Sequence, residues 1–323
     1  MEENTEQRVD LTLFSEKIQE LKDRIASVIV GQEQTVDLVL TAILANGHVL
    51  IEGVPGVAKT LLARLTARLI DADFSRVQFT PDLMPSDVLG TTVFNMKTNG
   101  FDFHQGPIFA DIVLVDEINR APAKTQAALF EVMEERQISI DGTTHRMGDL
   151  YTILATQNPV EQEGTYKLPE AQLDRFLMKI TMDYPSLEEE VNILERHHTN
   201  AALVKLDDIT PAITKEELLS LRAFMNQVFV DRTLLQYIAL IVQQTRTSKA
   251  VYLGASPRAS VAMLQSSKAY ALLQGRDFVT PEDIKFVAPY VLQHRLILTA
   301  EAEMEGYSPV KVTPVSYTHL RAH

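Results

Sequence analysis

The sequence contains no cysteine among its 323 residues, and it is poor in the residues that break regular structure. Without cysteine the chain forms no disulfide, binds no metal through thiolates and has no thiol nucleophile. Its 13 glycines and 14 prolines are too few, and its 46% apolar content too high, for a fibrous or disordered protein. We therefore expect a folded chain whose length fits one larger and one smaller domain.

Basic residues are scarce relative to acidic ones. The 30 Lys and Arg residues against 43 Asp and Glu residues give a net charge of −13 and a pI near 5.1. This excess argues against a general affinity for nucleic acid or anionic membranes, although it is compatible with a local basic strip. No run of about 18 apolar residues occurs, and the polar N-terminus does not resemble a signal peptide. We expect a cytoplasmic protein without membrane insertion.

Five short apolar runs alternate with helical patterns after an amphipathic helix over residues 15–30. Runs that are apolar on both faces suit a parallel sheet covered by helices, so they predict a three-layer α/β domain. The first, third and fourth runs are expected to be the most buried. The five runs are HVLIEG (48–53), RVQFT (76–80), DIVLVDE (111–117), YTILATQNP (151–159) and FLMKITMDY (176–184).

Two inserts within this alternation are predicted to be hairpins. Asn99-Gly100 and Asp141-Gly142 each separate two strand-like runs, and both pairs tolerate the positive φ of tight turns. Ordinary surface decoration is the alternative to a functional role for them.

Beyond Pro185 the pattern becomes helical. Four residues are predicted N-caps because an acidic residue three positions later or a proline directly afterwards follows each of them; they are Ser186, Thr214, Ser256 and Thr280. We therefore divide the chain into an α/β core with its N-terminal helix (1–185), an all-helical domain that we call the lid (186–310) and a tail (311–323). The end of the tail, SYTHLRAH, resembles vector or adapter read-through, so we expect the tail to be non-native or disordered.

The segment GVPGVAKT (53–60) follows a buried strand and precedes a helical pattern, which is the context of a Walker A loop. Loop amides and a helix N-terminus favour an anion, Lys59 would neutralise β- and γ-phosphate oxygens, and Thr60 would offer its hydroxyl to Mg²⁺. Ala58 replaces the usual second glycine and is tolerated if its φ is negative. The predicted binding residues are Gly53, Val54, Pro55, Gly56, Val57, Ala58, Lys59, Thr60 and Leu61.

A second acidic element stands at the end of the third run. In IVLVDEINRAP, Asp116 and Glu117 occupy the carboxyl end of a strand, where open α/β sheets bind ligands. Asp116 would hold Mg²⁺, and Glu117 would orient and deprotonate an attacking water. Neighbouring side chains of a strand point to opposite sides, which would separate the two tasks. Solvation of an acidic strand end is the alternative explanation.

Seven segments between about residues 10 and 305 occur in an order that resembles AAA+ ATPases, and specifically the MoxR family. They are VGQEQ (30–34), GVPGVAKT (53–60), FTPDLMPSDVLG (79–90), GPIFADIVLVDEINRAPAKTQAALFEVMEERQ (106–137), ATQNP (155–159), LPEAQLDRF (168–176) and GASPRA (254–259). The resemblance implies an AAA+ P-loop core, with a five-stranded parallel sheet between helices, followed by a helical lid. It also implies hydrolysis of ATP with Mg²⁺, and it makes Ala58 a variant that the family accepts.

The resemblance assigns roles to polar residues outside the loop. Asn158 resembles sensor 1, although it could simply cap the segment before Pro159. Arg258 resembles sensor 2, reaching the same phosphate from the lid, with a plain surface arginine as the alternative. Arg175 resembles the arginine finger that enters the site of a neighbouring subunit. Arg120 and Arg136 are rival candidates for the finger.

Weaker assignments follow for three other positions. Val30, Gly31 and Gln32 match the segment that lies along the adenine, and they also suit a turn between helices. Gln78 could link remote contacts to Glu117. His197-His198 is better explained by favourable charge at a helix C-terminus than by a metal site.

The resemblance also implies partners. The hairpins correspond to the family's helix 2 insert and pre-sensor 1 hairpin, and they are not strongly basic, which favours a protein client over DNA. It implies a homo-oligomer, a hexameric ring, that remodels or matures a client with a von Willebrand factor A domain in the manner of a chaperone. A motor or loader acting on nucleic acid and a metal-chelatase motor subunit are the alternatives.

Overall fold

The structure is a computed structural model of the chain, and it describes residues 11–158, 165–166, 168–199 and 209–310. The helices are α1 Leu11–Val28, α2 Glu33–Leu44, α3 Lys59–Leu69, α4 Pro85–Leu89, α5 Ala123–Glu135, α6 Glu170–Leu173, α7 Leu187–His198, α8 Lys215–Phe224, α9 Arg232–Thr247, α10 Pro257–Leu273, α11 Pro281–Leu292 and α12 Ala300–Met304. The strands are β1 Val49–Gly53, β2 Phe74–Gln78, β3 Gly90–Asn95, β4 Gly100–Gln105, β5 Ile112–Asp116, β6 Gln137–Ile140, β7 Thr143–Arg146, β8 Thr152–Gln157, β9 Met178–Met182, β10 Val251–Leu253 and β11 Ile297–Leu298.

The five apolar runs form one parallel sheet in the order β2-β5-β8-β1-β9. The runs that were expected to be most buried are its three inner strands, and every residue of β5 is buried. Each inner strand has neighbouring strands on both sides and helices on both faces. Neither face is exposed to water, so apolar residues do not alternate with polar ones along the strand. The α/β prediction for the core is therefore confirmed.

Alternation along the strands divides the core into two clusters. Ile112 and Leu114 of β5 face a cluster that includes α1, α2, α3 and the lid helices, whereas Val113 and Val115 face a cluster that includes α5. Successive side chains of a strand point to opposite faces, so each inner strand contributes to both clusters. The lid thus shares an apolar core with one face of the sheet.

Polar contacts fix the lid at the amino ends of the strands. Lys215 of α8 forms an ion pair of 2.5 Å with Asp111, which directly precedes β5. Arg222 donates hydrogen bonds to the carbonyl oxygens of Asp149, in the turn before β8, and Ile43, near the end of α2. The amino ends are the edge of the sheet opposite to the loop of residues 54–58, because that loop follows the carboxyl end of β1.

The two inserted hairpins are present, with one difference in the turn. Strands β6 and β7 are joined by Asp141-Gly142, with φ values of 50° and 79° as predicted for a two-residue turn. Strands β3 and β4 are joined by residues 96–99, and Gly100 already pairs with Asn95. Of the pair predicted to form that turn, only Asn99 has a positive φ, at 51°.

All four predicted N-cap residues precede helices as expected. Ser186, Thr214 and Thr280 each accept a hydrogen bond from the amide three residues later within a capping box. Ser256 is the N-cap residue of α10 and Pro257 follows it at the first helical position, but its side chain makes no cap bond and its hydroxyl lies 3.4 Å from the carboxylate of Asp174. Beside its helices the lid contains the short antiparallel pair β10 and β11. Strands of three and two residues are too short to leave a readable pattern.

Two absences concern only the residues that the structure describes. Within them no helix is long and apolar enough to cross a membrane. In the same ranges no group of three or more His, Asp or Glu residues is placed to hold a metal. His197 and His198 lie in the last turn of α7. The tail (311–323) and Pro159 lie outside the described residues.

Candidate functional site

A cleft of about 440 Å³ lies at the carboxyl ends of the inner strands, and we call it the loop cleft. It brings together the loop after β1, the end of β5 and the end of β8, as parallel strands with a common polarity require. All of its lining residues come from the core: Pro55, Gly56, Ala58, Lys59, Thr60, Leu61, Arg76, Gln78, Asp116, Glu117, Thr156 and Asn158.

The loop of residues 54–58 turns sharply into α3. Gly56 has a φ of 90°, and Ala58 has a φ of 62° in the left-handed region. The condition of a negative φ at Ala58 is therefore not met: the chain adopts the conformation that the usual glycine favours and accepts a cost of about 1–2 kcal/mol for the alanine. Lys59, Thr60 and Leu61 at the start of α3 line the cleft, and the N–H groups of a first helical turn have no partner within the helix.

Lys59 is the first residue of α3, and its ammonium donates to the carbonyl oxygen of Gly53 across the loop. Burial lowers the pKa of Lys59, while the carboxylates of Asp116, Glu117 and Glu52 partly oppose that shift. A cation at this position closes the loop and presents positive charge to the cleft.

Asp116 is 6% exposed and is the last residue of β5. Its Oδ2 atom accepts a 2.6 Å bond from Arg76 Nε, and its Oδ1 atom lies 3.1 Å from the hydroxyl of Thr156. A buried carboxylate requires such partners. Because Asp116 and the Thr60 hydroxyl line one cleft, oxygen donors suited to Mg²⁺ are present.

Glu117 lies just beyond the strand, with a φ of 57°, and its amide donates to Thr156 Oγ1 at 3.0 Å. The alternation of strand side chains therefore does not separate Asp116 from Glu117; a left-handed residue does so, at a cost of about 1–3 kcal/mol. The Oε2 atom of Glu117 accepts a hydrogen bond from Gln78 Nε2 at 2.7 Å and forms an ion pair with Arg120 Nε at 3.1 Å. The sequence-based link between Gln78 and Glu117 is thus a direct hydrogen bond.

The other predicted binding residues differ in position. Asn158 directly follows β8 and lines the loop cleft. The segment Val30-Gly31-Gln32 forms a turn between α1 and α2 and does not line the cleft. Gly31 has a φ of 73°, and a Cβ there would come within 2.3 Å of Glu189 Oε1 on α7. This turn therefore touches the first helix after the core.

A second cleft, of about 520 Å³, lies at the opposite edge of the sheet, and we call it the arginine cleft. His48, before β1, and Leu177, before β9, mark the amino ends of the strands on its wall. Both core and lid residues line it: Ala45, Asn46, Gly47, His48, Met133, Arg136, Asp174, Arg175, Leu177, Pro257, Arg258, Val261, Ala262, Gln265 and Arg295.

In the arginine cleft, the carboxylate of Glu134 pairs with the guanidinium groups of Arg175 and Arg258, both of which were predicted to contact phosphate. Arg175 lies 2.9 Å from Glu134 Oε2 and also donates to the carbonyl oxygen of Phe130. Arg258, at the start of α10 and 63% exposed, lies 3.2 Å from Glu134 Oε1. The structure thus places Arg175 and Arg258 together at the edge of the sheet away from the loop of their own chain.

This placement corrects one expectation. Arg258 was predicted to reach, from the lid, the phosphate that Asn158 contacts, yet within one chain it does not line the loop cleft with Asn158. The physical reason is the docking of the lid on the amino ends of the strands through Lys215 and Arg222.

Sequence patterns missed several polar residues that organise the two clefts: Arg76, Thr156, Glu134, Asp174 and Arg295. Arg295 left a detectable signal, because a charged residue inside the apolar run YVLQHRLIL needs a distant partner when that run is buried. Thr156 left none, since a threonine is ordinary in a strand.

Comparison with known proteins identifies the class. The profile of the ATPase family associated with various cellular activities (AAA) matches residues 48–178, and that of the AAA lid domain matches residues 243–314. A crystal structure of a candidate ATPase from Cytophaga hutchinsonii has a TM-score of 0.87 and 40% identity, with 95% of both chains covered. Fold and matches together define an ATPase of the AAA+ class.

Relatives narrow the class. YeaC of Bacillus subtilis is 49% identical over 88% of both chains. Chaperone MoxR1 of Mycobacterium tuberculosis is 45% identical over 88% of this chain and 77% of its own, and Protein MoxR of Methylorubrum extorquens is 30% identical over 91% of both. The chain belongs to the MoxR family of AAA+ ATPases, as the sequence motifs predict.

Proposed function

We propose that the protein hydrolyses ATP at a site formed by two copies of the chain, the loop cleft of one and the arginine cleft of the next. The observation that carries the proposal is the separation of the two clefts by the length of the sheet strands. The loop cleft offers Lys59, Asp116 and Glu117, whereas the predicted finger lies at the other edge. A phosphate bound at the loop can therefore meet Arg175 only from a second copy.

The loop cleft suits the phosphates of Mg·ATP. Amides at the start of α3 and the Lys59 ammonium would bind phosphate oxygens. Thr60 and Asp116 would hold Mg²⁺, which supplies charge neutralisation when bound. Arg76 occupies one oxygen of Asp116 and would have to yield it.

Glu117 is the proposed general base. Its carboxylate is held by Gln78 and Arg120 beside the cleft, where it can accept a proton from water that attacks the γ-phosphate. Asn158, at the end of the neighbouring strand, would orient that water through its amide. The backbone strain at Glu117 fits a residue whose position serves function rather than stability.

The contacts of the three candidate fingers favour Arg175. Arg120 pairs with Glu117 within its own cleft. Arg136 donates to the carbonyl oxygens of Tyr151 and Asn46, and burial lowers its pKa. Arg175 and Arg258 instead lie against the single carboxylate of Glu134, which phosphate oxygens of a neighbour could replace.

We further propose that the copies form a hexameric ring in the cytoplasm that remodels or matures a protein client containing a von Willebrand factor A domain. The name of the relative MoxR1, a chaperone, supports a protein client. Movement would arise at a boundary near Pro185, between the core (1–185) and the lid (186–310).

The β3–β4 hairpin is the proposed client contact. Phe94 and Phe101 are exposed on it, with ring centroids 5.3 Å apart, and Met96 is exposed in its turn. An apolar hairpin on a chain with a net charge of −13 suits a protein better than DNA. The rival functions, a nucleic-acid motor and a metal-chelatase motor subunit, lack an equivalent observation.

Glu117→Gln tests the catalytic assignment. Because the amide cannot take up a proton, we expect ATP to bind as in the wild type while turnover falls about 10²-fold or more. Phosphate release and binding of a fluorescent ATP analogue measure the two effects. Glu135→Gln, at the end of α5, is the matched control. Full turnover in the Glu117 variant would refute its role as base.

Mixing two inactive variants tests the shared site. Lys59→Ala removes binding at the loop but leaves its finger, and Arg175→Ala does the reverse. Each copy would give its finger to one neighbour, so equal mixtures should recover roughly a quarter of wild-type turnover. A mixture no more active than its components would refute a finger acting between copies.

A purified client tests the partner. We expect a von Willebrand factor A domain protein to bind the ATP-loaded Glu117→Gln variant and to stimulate wild-type turnover. Stimulation by DNA, weakening with salt, would favour the nucleic-acid motor. Stimulation only by a porphyrin-binding partner would favour the chelatase subunit.

A further inference from the structure

Three consecutive residues of the lid bind the main chain on both sides of Arg175. Gln293, His294 and Arg295 directly follow α11, and we call them the latch. Gln293 Nε2 donates to the carbonyl oxygen of Lys179, and His294 Nε2 donates to that of Phe176 at 3.0 Å. Arg295 supplies the remaining bonds. Apart from the carbonyl oxygen of Val291 in α11, to which Arg295 also donates, these acceptors lie within residues 174–179, which we call the latched segment and which carries the proposed finger into β9.

Arg295 is the centre of the latch, with a side chain only 4% exposed. It donates to Asp174 Oδ1 at 2.7 Å, to the Phe176 carbonyl oxygen at 2.7 Å and to the Leu177 carbonyl oxygen at 3.1 Å. Such a buried cation is acceptable only because its N–H groups find acceptors, and a planar fork reaches several at once. The main chain before and after Arg175 is therefore fixed from the lid.

The side chain of Arg175 is held less tightly than the main chain that carries it. The Arg175 side chain is 28% exposed and contacts one carboxylate and one carbonyl oxygen of α5. The side chain would extend toward a neighbour from the main chain of Arg175, and the latch fixes the position of that main chain. A displacement of the lid would carry that starting point with it.

The latched segment is also joined to the loop of its own chain. Strand β9 pairs with β1 up to Gly53, where the loop begins. Lys179, whose carbonyl oxygen accepts from the latch, forms a 2.8 Å ion pair with Glu52. Lid, finger and loop thus meet through one pair of strands.

We propose that Arg295, with Gln293 and His294, is a positioning site through which the lid sets Arg175 for the neighbouring copy. The proposal rests on the finger role of Arg175 given above. Its consequence is that loss of the latch impairs the site of the next copy while the variant's own loop cleft stays intact.

Arg295→Lys is the first test, because lysine keeps the charge but loses the fork. We expect uniform rings of this variant to turn over ATP at least about 10-fold more slowly, with unchanged binding of the fluorescent ATP analogue. In equal mixtures with Lys59→Ala, turnover should rise to the level reached by Arg175→Ala in the same mixture. Intact fingers from the Lys59 variant would then serve the loops of the Arg295 variant.

Arg276→Lys is the matched control, since Arg276 is a lid arginine that binds Asp283 and does not contact the latched segment. It should not reproduce the pattern of slow turnover with rescue. If Arg295→Lys fails to fold, as judged by thermal unfolding, Gln293→Met is used in the same mixtures, with a smaller expected loss. It removes one latch bond without exposing a buried charge.

Three outcomes would overturn the positioning role. Wild-type turnover of the folded latch variant would do so directly. Slow turnover without rescue, where Arg175→Ala is rescued, would make the latch a structural contact only. If Arg175→Ala is itself not rescued, the finger role has failed, and the latch proposal fails with it.

Discussion

The loop cleft and the arginine cleft are built from the same sheet but in opposite ways. The loop cleft mixes Lys59 and Arg76 with two carboxylates at strand ends. The arginine cleft is lined by Arg136, Arg175, Arg258 and Arg295, and the last three pair with Glu134 or Asp174. Carboxylates at the carboxyl edge can activate water and hold a metal, whereas guanidinium groups can only stabilise charge. Under the proposed shared site, this contrast is the reason that neither cleft would be sufficient alone.

The largest expected effect is the loss of turnover when Arg258 is removed, and mixing experiments test whether Arg258 acts at its own loop cleft or at that of a neighbouring copy. Arg258→Ala should lower turnover about 10²-fold, because one donor to developing phosphate charge is lost. If Arg258 belongs functionally to the arginine cleft, mixing with Lys59→Ala should restore activity. Phosphate release from the mixtures measures this.

The control for this experiment is Arg232→Ala at the exposed start of α9, which should leave turnover unchanged. Lack of rescue, together with loss of nucleotide affinity in isolated Arg258→Ala copies, would show that Arg258 acts at the loop of its own copy. That result would contradict the proposed division of roles between the two clefts.

An intermediate effect, on the pH dependence of stability, is expected from His48, which lines the arginine cleft. Burial, reinforced by the charge of Arg136, lowers its pKa from 6.5 to about 3, although its bond to the Met133 carbonyl opposes the shift. The unfolded chain therefore takes up a proton below pH 6.5 that the folded chain refuses until about pH 3. Stability is lost as the pH falls through this window, by about 2 kcal/mol between pH 8 and pH 5.

Urea unfolding at both pH values measures this loss against that of His48→Gln. The wild type should lose about 2 kcal/mol more than the variant over this interval. His197→Gln, on the exposed end of α7, should lose as much as the wild type. Equal losses in the wild type and His48→Gln would show that the buried imidazole does not control the pH response.

The smallest effect concerns the strained alanine of the loop cleft. Glycine relieves about 1–2 kcal/mol of left-handed strain at Ala58 but costs about 0.4–1 kcal/mol through the freer unfolded chain. Ala58→Gly should therefore stabilise the protein by roughly 0.5 kcal/mol in thermal unfolding. Ala127→Gly, inside α5, should instead destabilise it by about 1 kcal/mol. A lower unfolding temperature for Ala58→Gly would contradict the strain.

The sequence was informative wherever a pattern is local. The five strands, the capping boxes and the grouping of Lys59, Asp116 and Asn158 follow from apolar runs and from the common polarity of parallel strands. These features depend on residues close in the chain or on a general rule of sheet geometry.

The position of the lid could not be predicted in the same way. It depends on contacts such as Lys215 with Asp111, between residues far apart in the sequence, and no periodicity encodes them. For the same reason the sequence did not reveal that Arg258 lies at the amino ends of the strands. The φ of Ala58 was missed because the geometry of the loop, rather than the preference of the alanine, decides it.

The docking of the lid on the amino ends of the strands gives the molecule a direction. Because the loop cleft and the arginine cleft lie at opposite ends of the strands, a head-to-tail ring would place the arginine cleft of each copy against the loop cleft of the next. In such an arrangement each copy would receive a finger at its loop cleft and supply its own finger from its arginine cleft. In the proposed assembly a change of nucleotide in one copy would pass to one neighbour and not to both, and the assembly would have a sense of rotation before any client is bound.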